Sequence, residues 1–196
     1  MARKLAVALV HHPVTDRQGA IVTSAVTNID VHDLARSSRT YGASGFWITT
    51  PIEAQRRLIE AILGHWTEGS SGERIPSRRE ALTHAEVVAS VDEVVARLGG
   101  RSAVEIWCTA AKPTGETCPL IADYEEARAR ARGDDPRTLL VLFGTSWGLA
   151  PSLVDAADAR LPPIYGADGP GGYNHLSVRA ACAITLDRLF ARDGQR

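Results

Sequence analysis

The sequence predicts an α/β fold, a mainly parallel sheet flanked by helices in a single domain over residues 1–196. Three observations carry that expectation. Leu5–Val10 and Thr138–Phe143 are apolar runs without alternation, the pattern of strands buried on both faces. Strand signals then alternate with helix-start signals along the whole chain, as they do when crossovers join parallel strands. Finally, 196 residues of which 44% are hydrophobic suffice for one packed core, and no repeat or long linker divides them.

Leu5–Val10 reads as the first strand, ended by His11-His12-Pro13-Val14 and followed by a turn at Asp16-Arg17-Gln18-Gly19. Ile21 to Val26 reads as extended. Asp30 is expected to cap the next helix, with Asp33 favouring its dipole; Val31, Leu34, Ala35, Ser38 and Tyr41 share one face, and Gly42 closes it. Gly45–Thr49 is a strand. Thr50-Pro51-Ile52-Glu53 reads as cap, N1 proline and capping-box glutamate, for a helix burying Ile52, Leu58, Ile59, Ile62 and Leu63. A polar loop follows from Thr67 to Pro76. Ser77-Arg78-Arg79-Glu80 and Ser90-Val91-Asp92-Glu93 are two further capping boxes, either side of a short strand at Glu86–Ala89, and Gly99-Gly100 stops the second helix. Ala103–Thr109 is a strand leading into a loop through Pro119. Asp123 caps a helix to Arg132, and the strand Thr138–Phe143 leads into a short helix near Pro151–Ala156. A brief strand near Ala159–Leu161 and a glycine/proline loop over Pro162–Asn174 precede the last helix, Ser177 to about Arg192, with Val178, Ala181, Ile184 and Leu189 on one face.

Bulk properties exclude several classes. No apolar run approaches a membrane span, and the apolar stretch after Met-Ala-Arg-Lys is too short for a secretory signal, so a cytoplasmic location is expected. Three widely spaced cysteines (Cys108, Cys118, Cys182) argue against a disulfide scaffold or a structural zinc site. A net charge of −1 leaves any nucleic-acid contact to a local basic patch. His11 and His12 sit at a strand end, where neighbouring side chains point to opposite faces, so no metal site is expected there.

The turn Gly144-Thr-Ser-Trp-Gly-Leu149 follows the most apolar strand, where α/β sheets hold ligands. Gly144 and Gly148 would let a ligand reach the main chain. Together with Cys108–Pro113 and Pro162–Ser177 it makes three strand-end loops in the C-terminal half. This layout, with Phe143-Gly-Thr-Ser-Trp-Gly-Leu149 and Tyr173-Asn-His-Leu-Ser-Val-Arg179, resembles the SPOUT class of RNA methyltransferases. In the N-terminal half His12-Pro-Val14, Val26-Thr-Asn-Ile-Asp30, His32–Gly42, Thr49-Thr-Pro51 and His65-Trp66 resemble a small bacterial subfamily of that class.

The resemblance implies a C-terminal deep trefoil knot around S-adenosylmethionine (SAM), a homodimer and an RNA substrate, tRNA or rRNA. It places Thr109 and Ala110 of the first loop, Phe143, Gly144 and Gly148 of the second, and Ile164, Gly166, Asn174, Leu176 and Val178 of the third against the cofactor. Two departures stand out. Ser146 occupies a position where glycine is expected, and the 166–172 stretch is longer than usual.

Arg36, Arg39, Asp30 and Asn174 are the candidates for the reaction side. Arg36 and Arg39, one helical turn apart, would fork onto adjacent phosphates or form a solvated helix face. Asp30 is a cap or a substrate contact, and His175 touches the site or packs at the start of the last helix. Arg74, Arg78 and Arg79 form a second, weaker basic cluster, which reads as a solvated surface before it reads as an RNA contact. Cys108 reads as a small buried residue rather than a nucleophile. Besides an RNA methyltransferase, two other functions fit: a catalytically silent SAM- or RNA-binding regulatory protein of the same fold, or a doubly wound nucleotide-cofactor enzyme. The last lacks a GxGxxG after the first strand and any GxxxxGK[ST].

Overall fold

A computed structural model describes residues 3–112, 114–192 and 194. Met1, Ala2 and the last positions of the expected domain, and Pro113 of the first loop, lie outside the described residues. Six parallel strands form the sheet: β1 (Leu5–Val10), β4 (Gly45–Thr49), β5 (Ala85–Val88), β6 (Val104–Cys108), β7 (Thr138–Gly144) and β8 (Ala159–Arg160). Their order is β5-β4-β1-β7-β6-β8. β1 and β7 are neighbours at the centre, with Leu5 opposite Leu139 and Val10 opposite Gly144. A two-stranded ribbon, β2 (Val14–Thr15) with β3 (Ile21–Val22), stands apart from the sheet.

The central strands are apolar throughout because both sheet faces are covered. Leu5, Val7 and Leu9 meet α1 (Asn28–Thr40), α8 (Val178–Phe190) and α6 (Tyr124–Ala131) through Val31, Leu34, Leu186, Leu189 and Ala127. The same core takes Ile59 of α2 (Glu53–Thr67) and Leu82 of α4 (Pro76–Thr83). Ala6, Ala8 and Val10 face the other layer, where Val91, Val94 and Val95 of α5 (Val91–Arg97) and Val154 of α7 (Pro151–Asp155) pack. Period-two side chains on a two-sided core give the unbroken hydrophobic run.

Several element boundaries differ from expectation. Thr27, not Asp30, caps α1: its hydroxyl accepts from the Asp30 amide at 3.3 Å and donates to the Asp30 carboxylate at 2.5 Å. Both residues are good caps three apart, and the box forms on the first of them. The α2 cap is Ile52, with no side-chain bond, and Thr50 is buried instead. There the helix start is held by Arg56, which donates to the carbonyls of Thr50 and Pro51. Of the expected α2 stripe only Ile59 is fully buried; Ile62 and Leu63 pack at the core's edge, while Ile52 and Leu58 are exposed. The 67–76 loop contains a short helix, α3 (Ser70–Arg74), and α4 starts at Pro76 without a Ser77 cap. β3 is shorter than the extended run to Val26, and a 3-10 turn at Arg101–Ala103 delays β6. Asp123 and Ser90 cap as expected, their side chains accepting from the amides of Glu126 and Glu93. The buried face of α8 is Cys182, Thr185, Leu186 and Leu189, so Ala181 and Ile184 lie half-buried beside it.

Candidate functional site

A cleft of about 710 Å³ opens where the C-terminal ends of β6 and β7 meet the start of α8. Its walls are the three loops. The first, after β6, is anchored by Thr109, whose amide and hydroxyl both donate to the Leu142 carbonyl at 3.1 and 2.9 Å. Farther along, the Asp155 carboxylate accepts the amides of Glu116, Thr117 and Cys118 at 2.8, 2.9 and 3.4 Å. Those amides hold the carboxyl below its ordinary value.

The second loop turns tightly out of β7. A Cβ on Gly144 would lie 2.6 Å from the Leu149 amide nitrogen, 2.9 Å from Leu149 Cγ and 3.0 Å from the Gly148 carbonyl carbon. Glycine is needed there. Gly148 has φ 115°, a conformation that favours glycine, and Ser146 has φ 56°, so the unexpected serine adopts the left-handed backbone a glycine would take freely. The turn is clamped from below by the β2 ribbon: the Trp147 amide donates to the Thr15 carbonyl at 3.0 Å and the Thr15 amide to Gly148 at 2.9 Å.

The third loop joins the first through Asn174, whose side-chain amide donates to the Ala111 carbonyl at 3.0 Å. Ser177 then caps α8. Nine of the ten residues expected at the cofactor line the cleft: Thr109, Ala110, Phe143, Gly144, Gly148, Ile164, Asn174, Leu176 and Val178. Gly166 does not; it makes the turn whose carbonyl accepts from Gly169, and a Cβ there would press on the Tyr173 carbonyl oxygen at 3.0 Å.

Of the reaction-side candidates, Asp30 and Asn174 line the cleft while Arg36 and Arg39 do not. Arg39 is engaged by Glu80, which accepts from Nε at 2.9 Å and Nη2 at 2.6 Å. Asp30 is buried and ion-paired with Arg179, Nη1 to Oδ1 at 2.5 Å, and Arg179 Nε lies 3.6 Å from Asp33. Arg179 is the main residue that sequence reasoning missed. It ends the Tyr173–Arg179 motif, but its partner is 149 residues away. His175 does line the cleft.

A polar chain forms the floor. The Thr145 hydroxyl donates to the Val10 carbonyl at 3.0 Å and lies 2.5 Å from the Ser24 hydroxyl, which in turn lies 2.8 Å from His11 Nδ1. Because the Thr145 proton is committed to Val10, the Ser24 proton fills the contact with Thr145, and His11 donates from Nδ1 to Ser24. Nε2 then carries the ring's lone pair; it is buried and without a partner. Burial lowers the His11 pKa to about 4 against the opposing charge of Asp30, so the ring is neutral. Gln55 of α2 holds this segment from outside, donating to the Ser24 carbonyl at 3.4 Å and accepting from the Val26 amide at 2.8 Å. Cys108 is fully buried, and burial pushes its thiol up, away from nucleophilic chemistry.

The cleft therefore offers apolar side chains (Phe143, Ile164, Leu176, Val178), main chain exposed by glycines, and charged groups (Asp30, Lys112, Arg179). Such a lining suits a ligand with a flat, largely apolar part and a charged end. Among the described residues no group of three or more His, Cys, Asp or Glu side chains is arranged to hold a metal, and no described helix is long and apolar enough to cross a membrane.

Comparison with known proteins gives concordant results. A family profile described as SAM-dependent RNA methyltransferase matches residues 4–191. A protein of Oleidesulfovibrio alaskensis named tRNA (guanine-N(1)-)-methyltransferase is 40% identical over 190 residues, 96% of this chain and 42% of that protein. The chain thus spans less than half the length of that relative. A protein of Aquifex aeolicus is 36% identical over 190 residues, 95% of this chain and 88% of its own length. Among solved structures, TrmJ from Z. mobilis ZM4 shares the fold with a TM-score of 0.62 at 16% identity, covering 96% of this chain and 69% of that one. The SpoU methyltransferase AviRb from Streptomyces viridochromogenes, solved with AdoMet, has a TM-score of 0.53 at 17% identity, covering 100% of this chain and 60% of its own.

Proposed function

This chain belongs to the family of SAM-dependent RNA methyltransferases, and from that premise we propose that it transfers the methyl group of SAM to an RNA nucleophile at the cleft described above. The observation that carries this reading is that residues of three strand-end loops, Thr109 and Ala110, Phe143 to Gly148, and Asn174 to Val178, converge on one cleft. The tight turn at Gly144 packs on itself and holds the second of these loops in place. SAM supplies a methyl already activated on a sulfonium, so the protein's work is positioning, exclusion of water and management of one proton.

In this reading Phe143, Ile164, Leu176 and Val178 bracket the adenine, and the main chain of Thr109, Ala110, Gly144 and Gly148 recognises its edges. Asn174 keeps the first and third loops at a fixed separation through its bond to Ala111. Asp30 offers a carboxylate beside the sulfonium and is the acceptor for the nucleophile's proton, with Arg179 setting its orientation. Arg36 serves the RNA rather than the cofactor, because it stands outside the cleft; Arg39 is already neutralised by Glu80.

tRNA is the RNA to test first, since the Oleidesulfovibrio relative carries a tRNA methyltransferase name. We read the protein as a cytoplasmic homodimer. Support comes from apolar groups near the cleft and the start of α1: Trp147 is 64% exposed, Tyr173 79% and Ile29 54%. The 162–177 segment is read as the threaded part of a trefoil knot. Support for that comes from its bond to the first loop and its return into α8 between α1 and α6. Incubation with methyl-labelled SAM and bulk bacterial tRNA tests the activity. Label in the RNA is expected with the wild type and reduced at least tenfold with Asp30→Asn. Cofactor binding without transfer to any bulk RNA fraction would return the protein to a binding role.

A further inference from the structure

Where α1 meets α2 and α4, a basic and aromatic cluster stands outside the cleft. The Arg78 guanidinium lies over the Trp66 ring, its Cζ 4.7 Å from the centroid. The same ring is met edge-on by His32 and by His65, each with centroids 5.4 Å apart at 85°. His32 and Arg36 are four residues apart on α1 and share its face toward α4.

Among the described residues Arg74, Arg78 and Arg79 all lack a carboxylate partner, and what sets Arg78 apart is its stacking on Trp66 and its buried, unpartnered Nε. Arg39 is held by Glu80, Arg57 by Glu53 and Arg97 by Glu86 and Glu93. Among the described residues Arg78 has no ion pair and its side chain has no hydrogen-bond partner; its Nε is buried and unsatisfied, as is His32 Nδ1 beside it. Arg36 has only a 3.8 Å contact with Asp33, a carboxylate also approached by Arg179. Burial, and then the Arg78 charge, push His32 below its ordinary pKa. A planar guanidinium fixed by stacking and without a carboxylate partner offers its Nη groups to an oxyanion, with the buried Nε and His32 behind it.

We propose that Arg78, backed by Trp66 and joined by Arg36, receives a backbone phosphate of the RNA whose target nucleoside enters the cleft. The inference rests on the RNA methyltransferase reading. Its place follows from α1: Asp30 lines the cleft, while His32 and Arg36, two and six residues farther on, lie about 3 and 9 Å along the axis and on another face of the helix, against α2 and α4. An RNA strand that reaches the cluster from the cleft therefore crosses over α1. Phosphate contact is independent of sequence, so bulk tRNA is an adequate probe.

The test is equilibrium binding of bulk bacterial tRNA to the full chain over a salt series, for wild type, Arg78→Ala and Arg78→Lys. SAM affinity and melting temperature are measured on the same samples. Arg78→Ala is expected to weaken tRNA binding about five- to tenfold at moderate salt and to lower the slope of log K against log salt by roughly 0.7–0.9. Arg78→Lys is expected to recover most of the slope but only part of the affinity, since a point charge replaces a fork. SAM affinity stays at the wild-type value in both. Unchanged tRNA affinity and slope in Arg78→Ala would overturn the phosphate site while leaving the enzyme reading intact. So would a loss that tracks a fall in melting temperature or SAM affinity. A wild type that binds SAM but no tRNA at any salt would overturn the site together with the RNA reading.

Discussion

Adding one methyl group at Gly144 is the sharpest perturbation available. In Gly144→Ala the new Cβ would sit 2.6 Å from the Leu149 nitrogen and 3.0 Å from the Gly148 carbonyl carbon, both main-chain atoms. They cannot swing aside, because the turn is tied at Thr145 to Val10, at Trp147 and Gly148 to Thr15, and at Ala150 to Pro13. Overpacking against fixed neighbours costs about 1–3 kcal/mol, which in a chain of this size lowers the melting temperature by roughly 2–12 °C. Because the displaced segment is the cleft's second loop, SAM affinity is expected to fall at least tenfold. Ser146→Gly, two residues on, is the matched control. It relieves a left-handed serine at φ 56°, worth about 1 kcal/mol, partly offset by the greater freedom of glycine in the unfolded chain. Stability there is expected to stay level or rise, with SAM affinity retained. Thermal denaturation and calorimetric titration of both variants decide the matter. Wild-type SAM affinity in a folded Gly144→Ala would refute the claim that the cofactor lies against this turn.

Other changes have separable signatures. Arg179→Ala leaves the buried Asp30 carboxylate without its cation. It is expected to cost about 1–2 kcal/mol, discounted because Arg179 is one-third exposed, and to lower kcat for methyl transfer more than it raises the KM for SAM. His11 is held neutral by burial, its pKa lowered from 6.5 to about 4. The unfolded chain therefore takes up the proton first, so stability present above pH 6.5 is lost as pH falls toward 4, by about 3 kcal/mol in all. His11→Asn, which keeps a donor toward Ser24, is expected to show a denaturation midpoint less dependent on pH in that window. Glu105 is buried at the opposite end of the sheet among Arg3, Arg130 and Arg137. Burial alone would raise its carboxyl, but Arg3, Trp107 and Arg137 outweigh it and hold it below its ordinary value. Glu105→Gln is expected to cost about 3 kcal/mol in denaturant titration, with SAM affinity unchanged.

The sheet and the three loops were legible because their signals are local. An unalternating run such as Thr138–Phe143 announces a strand with both faces covered, and Gly144 and Gly148 mark the turn after it. Long-range pairing is what the sequence concealed. Arg179 meets Asp30 across 149 residues and Arg39 meets Glu80 across 41, so one arginine gained a place at the cleft and the other an exposed partner on α4. Helix starts were ambiguous wherever two good caps lie close together, as at Thr27 and Asp30, or where another group holds the first turn, as Arg56 does for α2. Gly166 stands outside the cleft lining, and the contact a Cβ there would make with Tyr173 has no signal in the local sequence.

The cofactor assignment is tested most directly by calorimetric titration of the purified protein with SAM, S-adenosylhomocysteine, NADH and ATP. Saturable binding of the two adenosyl-sulfur ligands in the micromolar range, abolished or strongly weakened by Gly144→Ala, is the expected result. No heat from either ligand, or binding of NADH or ATP in their place, would contradict the assignment of the cleft to SAM.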